Sequence, residues 1–313
     1  MSLLRRLNRP EYLFRPRSVV KRLRQGGRHS WDSNSTIRVS LPWSQQITVF
    51  GDEIGHTIIA SGIFDLCVTE TIFRLLDGGD RAVDVGANVG YLTNLMAQRV
   101  GPSGTVTAFE PHPTVFLVLE RNVRRWDRDR GIAGVDARRI ALSSARGTGR
   151  LRSHGPEESQ LGLSYLAAAR DVDDASGFTV ELAKLDDLFR DDEVQLIKID
   201  VEGHEHSVLR GGESMLGGGR VRDIVFEEHA IYPAPSMTFL EQHGMTLFTL
   251  RQSVLGLDVH PVEEGPAPPV WPGPNYLATL DPERALTRLS PRGWQCLGGV
   301  AGLGRAVPRP RLT

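Results

Sequence analysis

The chain has 313 residues, 40% of them hydrophobic and 24% charged, and a formal charge of −1. That balance suits a self-folding globular protein and supplies no global field to draw it to nucleic acid or an anionic membrane. Two cysteines, Cys67 and Cys296, stand far apart without metal-ligand spacing, which argues against a disulfide framework or a zinc site and suits a reducing, cytoplasmic location.

The first thirty residues are strongly basic: Arg5, Arg6, Arg9, Arg15, Arg17, Lys21, Arg22, Arg24 and Arg28 face the single acid Glu11. No uninterrupted apolar run of the signal-peptide kind occurs here, and Pro10 and Pro16 break the leader, so export is not expected. A basic extension over 1–40, solvated and packed partly on the core, is the expectation. No window approaches the roughly 18 consecutive apolar residues of a membrane span.

From Asp80 onward β-like and helix-like segments alternate. Arg81–Val85 reads as a buried strand, Tyr91–Val100 as a helix closed by the turn cluster Gly101–Gly104, and Thr105–Glu110 as a second strand. Pro111-His112-Pro113 opens a helix whose apolar residues Val115, Leu119 and Val123 recur at helical spacing. Asp136–Leu142 is a third strand, Gln195–Val201 a fourth, His206–Leu216 a helix, Asp223–Glu228 a fifth strand, and Met237–His243 a helix. Met245–Leu250 and Asn275–Leu280 complete the strands. Strands separated by helices predict a doubly wound α/β fold with a mostly parallel sheet. Ser143–Ser176, rich in Gly, Ser, Arg and Asp, is expected to be a loop or hairpin insertion over one edge. The proline-rich Gly256–Pro274 reads as an ordered, irregular loop carrying Trp271, and the tail from Arg305 as mobile.

In such a sheet the first strand–turn–helix is the usual ligand cradle. Here it is VDVGANVGYLT, Val83–Thr93. Gly86 permits close backbone approach, Gly90 lets the helix pack on the strand, and the helix N-terminus offers free N–H groups. A dinucleotide fingerprint would need glycine at 88 and 91, where Asn and Tyr stand, and the GK[ST] of a phosphate loop is absent. A nucleoside with a smaller, zwitterionic end remains. Glu110, twenty residues after Gly90, can take both ribose hydroxyls, and Asp84 can attract an ammonium. Together these describe S-adenosylmethionine.

KIDVEGHEHSVLRGG (Lys198–Gly212), read with that turn, AFEPHP (Ala108–Pro113) and KLDDLF (Lys184–Phe189), resembles the FkbM family of S-adenosylmethionine-dependent methyltransferases. LPWSQQITVF, EIGHTIIASGIFDLCVTE and RLLDGGD are similar to the lead-in of a subset of that family, so the resemblance runs from about Leu41 to Glu228. It implies a class I methyltransferase (Rossmann-like) fold, a doubly wound, mostly parallel seven-stranded sheet with an antiparallel last strand. The methyltransferase domain is then expected over 41–285, between the basic extension and a tail over 286–313. Cofactor contacts are expected at Asp84, Gly86, Ala87, Asn88, Gly90, Tyr91, Glu110, Pro111 and Asp200. The family's acidic signature matches Asp200, Glu202, Gly203 and Glu205, with His206 where an aliphatic or acidic residue is frequent. O-methylation of a sugar or natural-product hydroxyl is what the resemblance implies.

Methyl transfer from a sulfonium is an in-line displacement, so the protein has to align the acceptor and remove its proton. Asp200, Glu202 and His204 are the expected catalytic residues, with Glu227 and His229 as further candidate bases. Glu205 and His206 read equally well as first-turn residues of the following helix, and Lys198 as an ion-pair partner of Asp200 or a neighbouring acid. Asp200, Glu202 and Glu227 or Glu228 carry the hard oxygens that Mg²⁺ takes, but strand-end acids are common without metal, and no metal is expected. A small hydroxylated acceptor is favoured. A nucleic-acid acceptor is not expected, because the fourth strand ends in DVEG rather than [DNS]PP[YFW] and the basic charge lacks interleaved aromatics. A non-catalytic partner protein is disfavoured by a cofactor site that reads as chemically complete at both ends.

Overall fold

The central strands are apolar and buried along nearly their whole length, so the sheet presents two greasy faces and recruits helices to both. The computed structural model describes residues 35–43, 45–153, 164–166, 177–262 and 274–298. A hairpin of β1 (Thr36–Ser40) and β2 (Gln46–Phe50) leads into α1 (Glu53–Ser61) and α2 (Leu66–Leu75). Then come β3 (Arg81–Val85), α3 (Tyr91–Val100), β4 (Thr105–Phe109), α4 (Pro113–Trp126) and β5 (Val135–Arg138). An insertion holds β6 (Ala141–Leu142), β7 (Gly147–Ser153), β8 (Ser164–Leu166) and β9 (Phe178–Ala183), before α5 (Leu185–Leu188). The chain returns as β10 (Val194–Ile199), α6 (Glu205–Gly211), α7 (Glu213–Gly217), β11 (Val221–Glu227) and α8 (Pro235–Gln242). It closes with β12 (Thr246–Ser253), β13 (Gly256–Pro261), β14 (Asn275–Thr279), α9 (Pro282–Leu289) and a 3₁₀ turn, Gln295–Gly298.

The main sheet runs β13-β12-β14-β11-β10-β3-β4-β5. Neighbours from β5 to β11 are parallel, and β14 is antiparallel to both β11 and β12. This is the class I methyltransferase order expected above, widened from seven strands to eight. The extra strand is β13, antiparallel on β12. The irregular loop expected from Gly256 is therefore a strand as far as Pro261: Leu257 and Val259 pack on the core, while Asp258 and His260 face outward. Trp271, the basic leader through residue 34 and the tail from Arg305 lie outside the described residues.

The third expected strand, Asp136–Leu142, is two pieces. Val135–Arg138 completes the main sheet, and Ala141–Leu142 leaves it to pair with β9 in a second, four-stranded sheet, β6-β9-β7-β8. That small sheet is the hairpin form of the expected insertion. The helix expected over His206–Leu216 is likewise divided, into α6 and α7. A side chain at Gly211 would place its Cβ 2.2 Å from the carbonyl oxygen of Ser143, so glycine is needed for the close approach.

On the main sheet Ala82, Leu196, Val225 and Leu277 face α2, α3 and α4, while Val83, Ile197, Ile199, Ile224 and Phe226 face α6, α7 and α8. α2 also ties in the last described residues. Its Arg74 and Glu70 form a fully enclosed pair at 2.5 Å. Arg74 donates to the carbonyls of Leu289, Pro291 and Gly293, and Glu70 accepts from the amides of Gln295 and Cys296. These bonds offset the cost of burying two charges.

Candidate active site

Strand order reverses at β3: β4 lies on one side and β10 on the other, which opens a crevice at their carboxyl ends. The turn Gly86–Gly90 fills the mouth of that crevice. Gly86, Asn88 and Gly90 all have left-handed backbones, φ +77°, +51° and +92°. The amides of Gly86 and Ala87 both donate to the Phe109 carbonyl, which docks the turn on the end of β4. A Cβ at Gly86 would lie 1.9 Å from the Asp200 carbonyl oxygen, so this glycine is required first by the approach of β10. At Gly90 it would meet Leu119 and Trp126, so this glycine is required by the approach of α4 rather than by packing of α3 on the strand.

Glu110 lies just beyond β4 and is almost fully buried. One carboxyl oxygen accepts from the Asn88 amide at 2.9 Å and the other from the His112 amide at 2.8 Å. Burial raises its pKa from 4.5 to about 7, against the pull of these two amides and of Lys198. Each oxygen has accepted one bond and keeps a further lone pair, so two neighbouring hydroxyls can still be received. Pro111, half-buried, follows directly.

Asp84 is wholly enclosed, with Oδ2 accepting from the Thr93 hydroxyl at 2.6 Å. The ammonium beside it is that of Lys198, 3.4 Å from Oδ1. Lys198 also lies 3.7 Å from Asp200, whose side chain is 35% exposed. Tyr91 turns away from the crevice. Its hydroxyl lies 3.2 Å from that of Thr69, and its ring packs beside Trp43 and Phe64, so its side chain is a core element.

After β10 the backbone bends sharply. Glu202 and Gly203 have φ +53° and +91°. Glu205, buried, holds the bend by accepting from the amides of Val201 and Gly203 through one oxygen. Glu202 is half-buried, and burial followed by repulsion from Asp200 and Glu205 raises its pKa to about 7. His204 Nε2 lies 3.0 Å from the Ser143 hydroxyl, and burial lowers its pKa, so the ring is neutral at pH 7. Glu227, at the end of β11, is raised to about 8 by burial and by the nearby Asp200, Asp65, Glu202 and Glu205. His229 is exposed, 3.4 Å from Glu227.

Asp65 was invisible to motif reading. It caps α2 by accepting from the Val68 amide and is held by the side-chain amide of Asn275 on β14. Its only local signal, an acid before an apolar helix, is that of any N-cap.

Glu110, whose two oxygens each keep a lone pair, the partly exposed Asp200 and the glycine turn between them have the chemistry to hold the ribose and amino-acid ends of S-adenosylmethionine. The sheet order is that of the class I methyltransferases, for which S-adenosylmethionine is the methyl donor. The methyltransferase FkbM domain matches residues 84–247. The chain belongs to the FkbM methyltransferase family. A protein-L-isoaspartate(D-aspartate) O-methyltransferase domain also matches, over residues 15–152.

Among its relatives is the 31-O-demethyl-FK506 methyltransferase FkbM of Streptomyces tacrolimicus, 31% identical over 59% of this chain and 80% of that protein. The methyltransferase sdnD of Sordaria araneosa is 32% identical over 41% of this chain, and the match spans 59% of its own length. The hexuronic acid methyltransferase AglP of Haloferax volcanii is 30% identical over 54% of this chain and 65% of that protein. No helix among the described residues is long and apolar enough to cross a membrane.

Proposed function

We propose that the protein methylates a hydroxyl oxygen on a small molecule, a sugar or a secondary metabolite. The observation that carries this reading is the crowding of carboxyls at the ends of β10 and β11, where burial and the neighbouring Asp200 raise Glu202 to about 7 and Glu227 to about 8. A carboxyl titrating near 7 is matched to removing an alcohol proton as the new bond forms. The names of two relatives, one for 31-O-demethyl-FK506 and one for a hexuronic acid, are consistent with hydroxylated acceptors.

S-adenosylmethionine supplies an electrophilic methyl group on a sulfonium. In this reading Glu110 receives the ribose, with Pro111 beside it, and Asp200 receives the ammonium. The turn Gly86, Ala87, Asn88 and Gly90, continuing to the Tyr91 backbone, borders the amino-acid end. Asp84 supports the turn from beneath. Glu202 takes the acceptor hydroxyl proton as the oxygen–methyl bond forms and the sulfur–methyl bond breaks, leaving S-adenosylhomocysteine, with Glu227 as the alternative base. His204 positions Ser143 rather than taking the proton.

A nucleic-acid acceptor is disfavoured by the DVEG strand end, and a cytoplasmic setting is supported by two cysteines that are both free and buried. Calorimetric titration with S-adenosylhomocysteine tests the cofactor half. A panel of hexuronic acids and hydroxylated macrolides, read by mass spectrometry for a gain of about 14 Da on oxygen, tests the acceptor half. Methylation on nitrogen or carbon alone would overturn the proposal.

A further inference from the structure

Lys198 sits in the interior of a parallel strand, where a charged side chain is costly unless paired. The register places Lys198 beside Asp84 on β3 and beside Val225 on β11, and alternation puts Asp200 on the same face two residues on. Its ammonium has four oxygen neighbours. Nζ donates to the Gly86 carbonyl at 2.7 Å and the Val85 carbonyl at 3.3 Å, and faces Asp84 at 3.4 Å and Asp200 at 3.7 Å. Burial opposes the charge, but Asp84 and Asp200 hold the pKa above the ordinary lysine value, so the cation is retained.

The two acids are not equivalent. Asp84 has no exposed surface and is closed in by Lys198 and Thr93, whereas the Asp200 side chain is 35% exposed and only loosely shares the cation. An ammonium arriving with a ligand therefore meets Asp200. The Gly86 carbonyl, at the start of the turn, accepts from Lys198 Nζ.

We propose that Lys198 is a positioning residue for the amino-acid end of the methyl donor: it balances the charge of Asp84, bonds the Gly86 carbonyl and sets Asp200 to receive the ligand ammonium. This rests on the reading that the Gly86–Gly90 turn cradles the donor. Lys198 touches no ligand atom in this arrangement. It acts through the turn and through Asp200, so its effect falls on the amino-acid end and spares the nucleoside end, which Glu110 holds independently.

The test compares two ligands by calorimetry: S-adenosylhomocysteine, and 5′-methylthioadenosine, which lacks the amino-acid end. Lys198→Met alone would leave Asp84 buried without its cation, so the main variant is the double substitution Asp84→Asn with Lys198→Met, which removes both charges at nearly constant volume. Lys198→Arg keeps a cation but relocates it. The expected result is at least a tenfold weaker Kd for S-adenosylhomocysteine in the double variant, with 5′-methylthioadenosine binding within twofold of wild type. Lys198→Arg should fall between. Equal weakening of both ligands would assign Lys198 a merely structural role and overturn the proposal, as would unchanged binding of both. Wild-type protein that binds neither ligand would instead refute the cofactor reading, and this proposal with it.

Discussion

Replacing Glu110 with glutamine separates the stability of the cofactor site from its affinity. The two carboxyl oxygens accept from the amides of Asn88 and His112. A glutamine has one acceptor oxygen, so its NH₂ group must face one of those donors, and an unpaired buried N–H costs about 1–3 kcal/mol. The wild-type carboxylate carries an opposing cost. A pKa raised from 4.5 to about 7 corresponds to about 3 kcal/mol against the charged form. Because the folded-state value is raised, the stability that Glu110 contributes is complete below pH 4.5 and is lost as pH rises through about 7. The substituted amide does not titrate. Urea unfolding should therefore find E110Q destabilised by about 1–3 kcal/mol at pH 5 and within about 2 kcal/mol of wild type at pH 8. Binding follows a different course. Losing one charge-assisted bond to a ribose hydroxyl costs about 1.5–3 kcal/mol, so the Kd for S-adenosylhomocysteine at pH 8 should rise about 10- to 150-fold. A folded E110Q that binds within twofold of wild type, or a stability gap that does not narrow with pH, would refute the reasoning.

Wild-type affinity for S-adenosylhomocysteine should itself strengthen between pH 6 and 8 and release a proton on binding, measurable as buffer-dependent heat, because the ribose hydroxyls favour ionised Glu110. With an acceptor in hand, Glu202→Gln should lower kcat by about 10²–10⁴-fold while leaving the Kd for S-adenosylhomocysteine unchanged, and the wild-type rate should climb through pH 7 as Glu202 loses its proton. Gly90→Ala forces an L side chain to φ +92° and its Cβ to 2.7 Å from Leu119. Strain and overpacking should cost about 2–5 kcal/mol and lower Tm by about 5–15 °C in a thermal scan. Arg74→Met strands the buried Glu70 and frees the carbonyls of Leu289, Pro291 and Gly293; chemical denaturation should show a loss of about 3–5 kcal/mol.

Local signals determined much of this protein before any coordinates. The strand–turn–helix at 81–100, the acid just past β4 and the acidic DVEG segment at the end of β10 are legible because each is written within a short span of chain: a period of two, a period of 3.6, and glycine where φ must be positive. The observed α3 has the bounds expected from the sequence, whereas Gly90 makes room for α4 and not for the strand. Tertiary structure alone decided what depends on partners distant in sequence. Tyr91 turns into the core because Thr69, Trp43 and Phe64 surround it, and a motif position says nothing about which neighbours arrive. β13 becomes a strand because β12 offers it an edge, outweighing the composition of a glycine- and proline-rich segment. Asp65 reaches the carboxyl group through Asn275, 210 residues along the chain, and Asp84 meets the ammonium of Lys198 because two parallel strands share a register. Backbone preferences are short-ranged and can be read from sequence; the pairing of buried charges is settled only when packing fixes which side chains share a low-dielectric space.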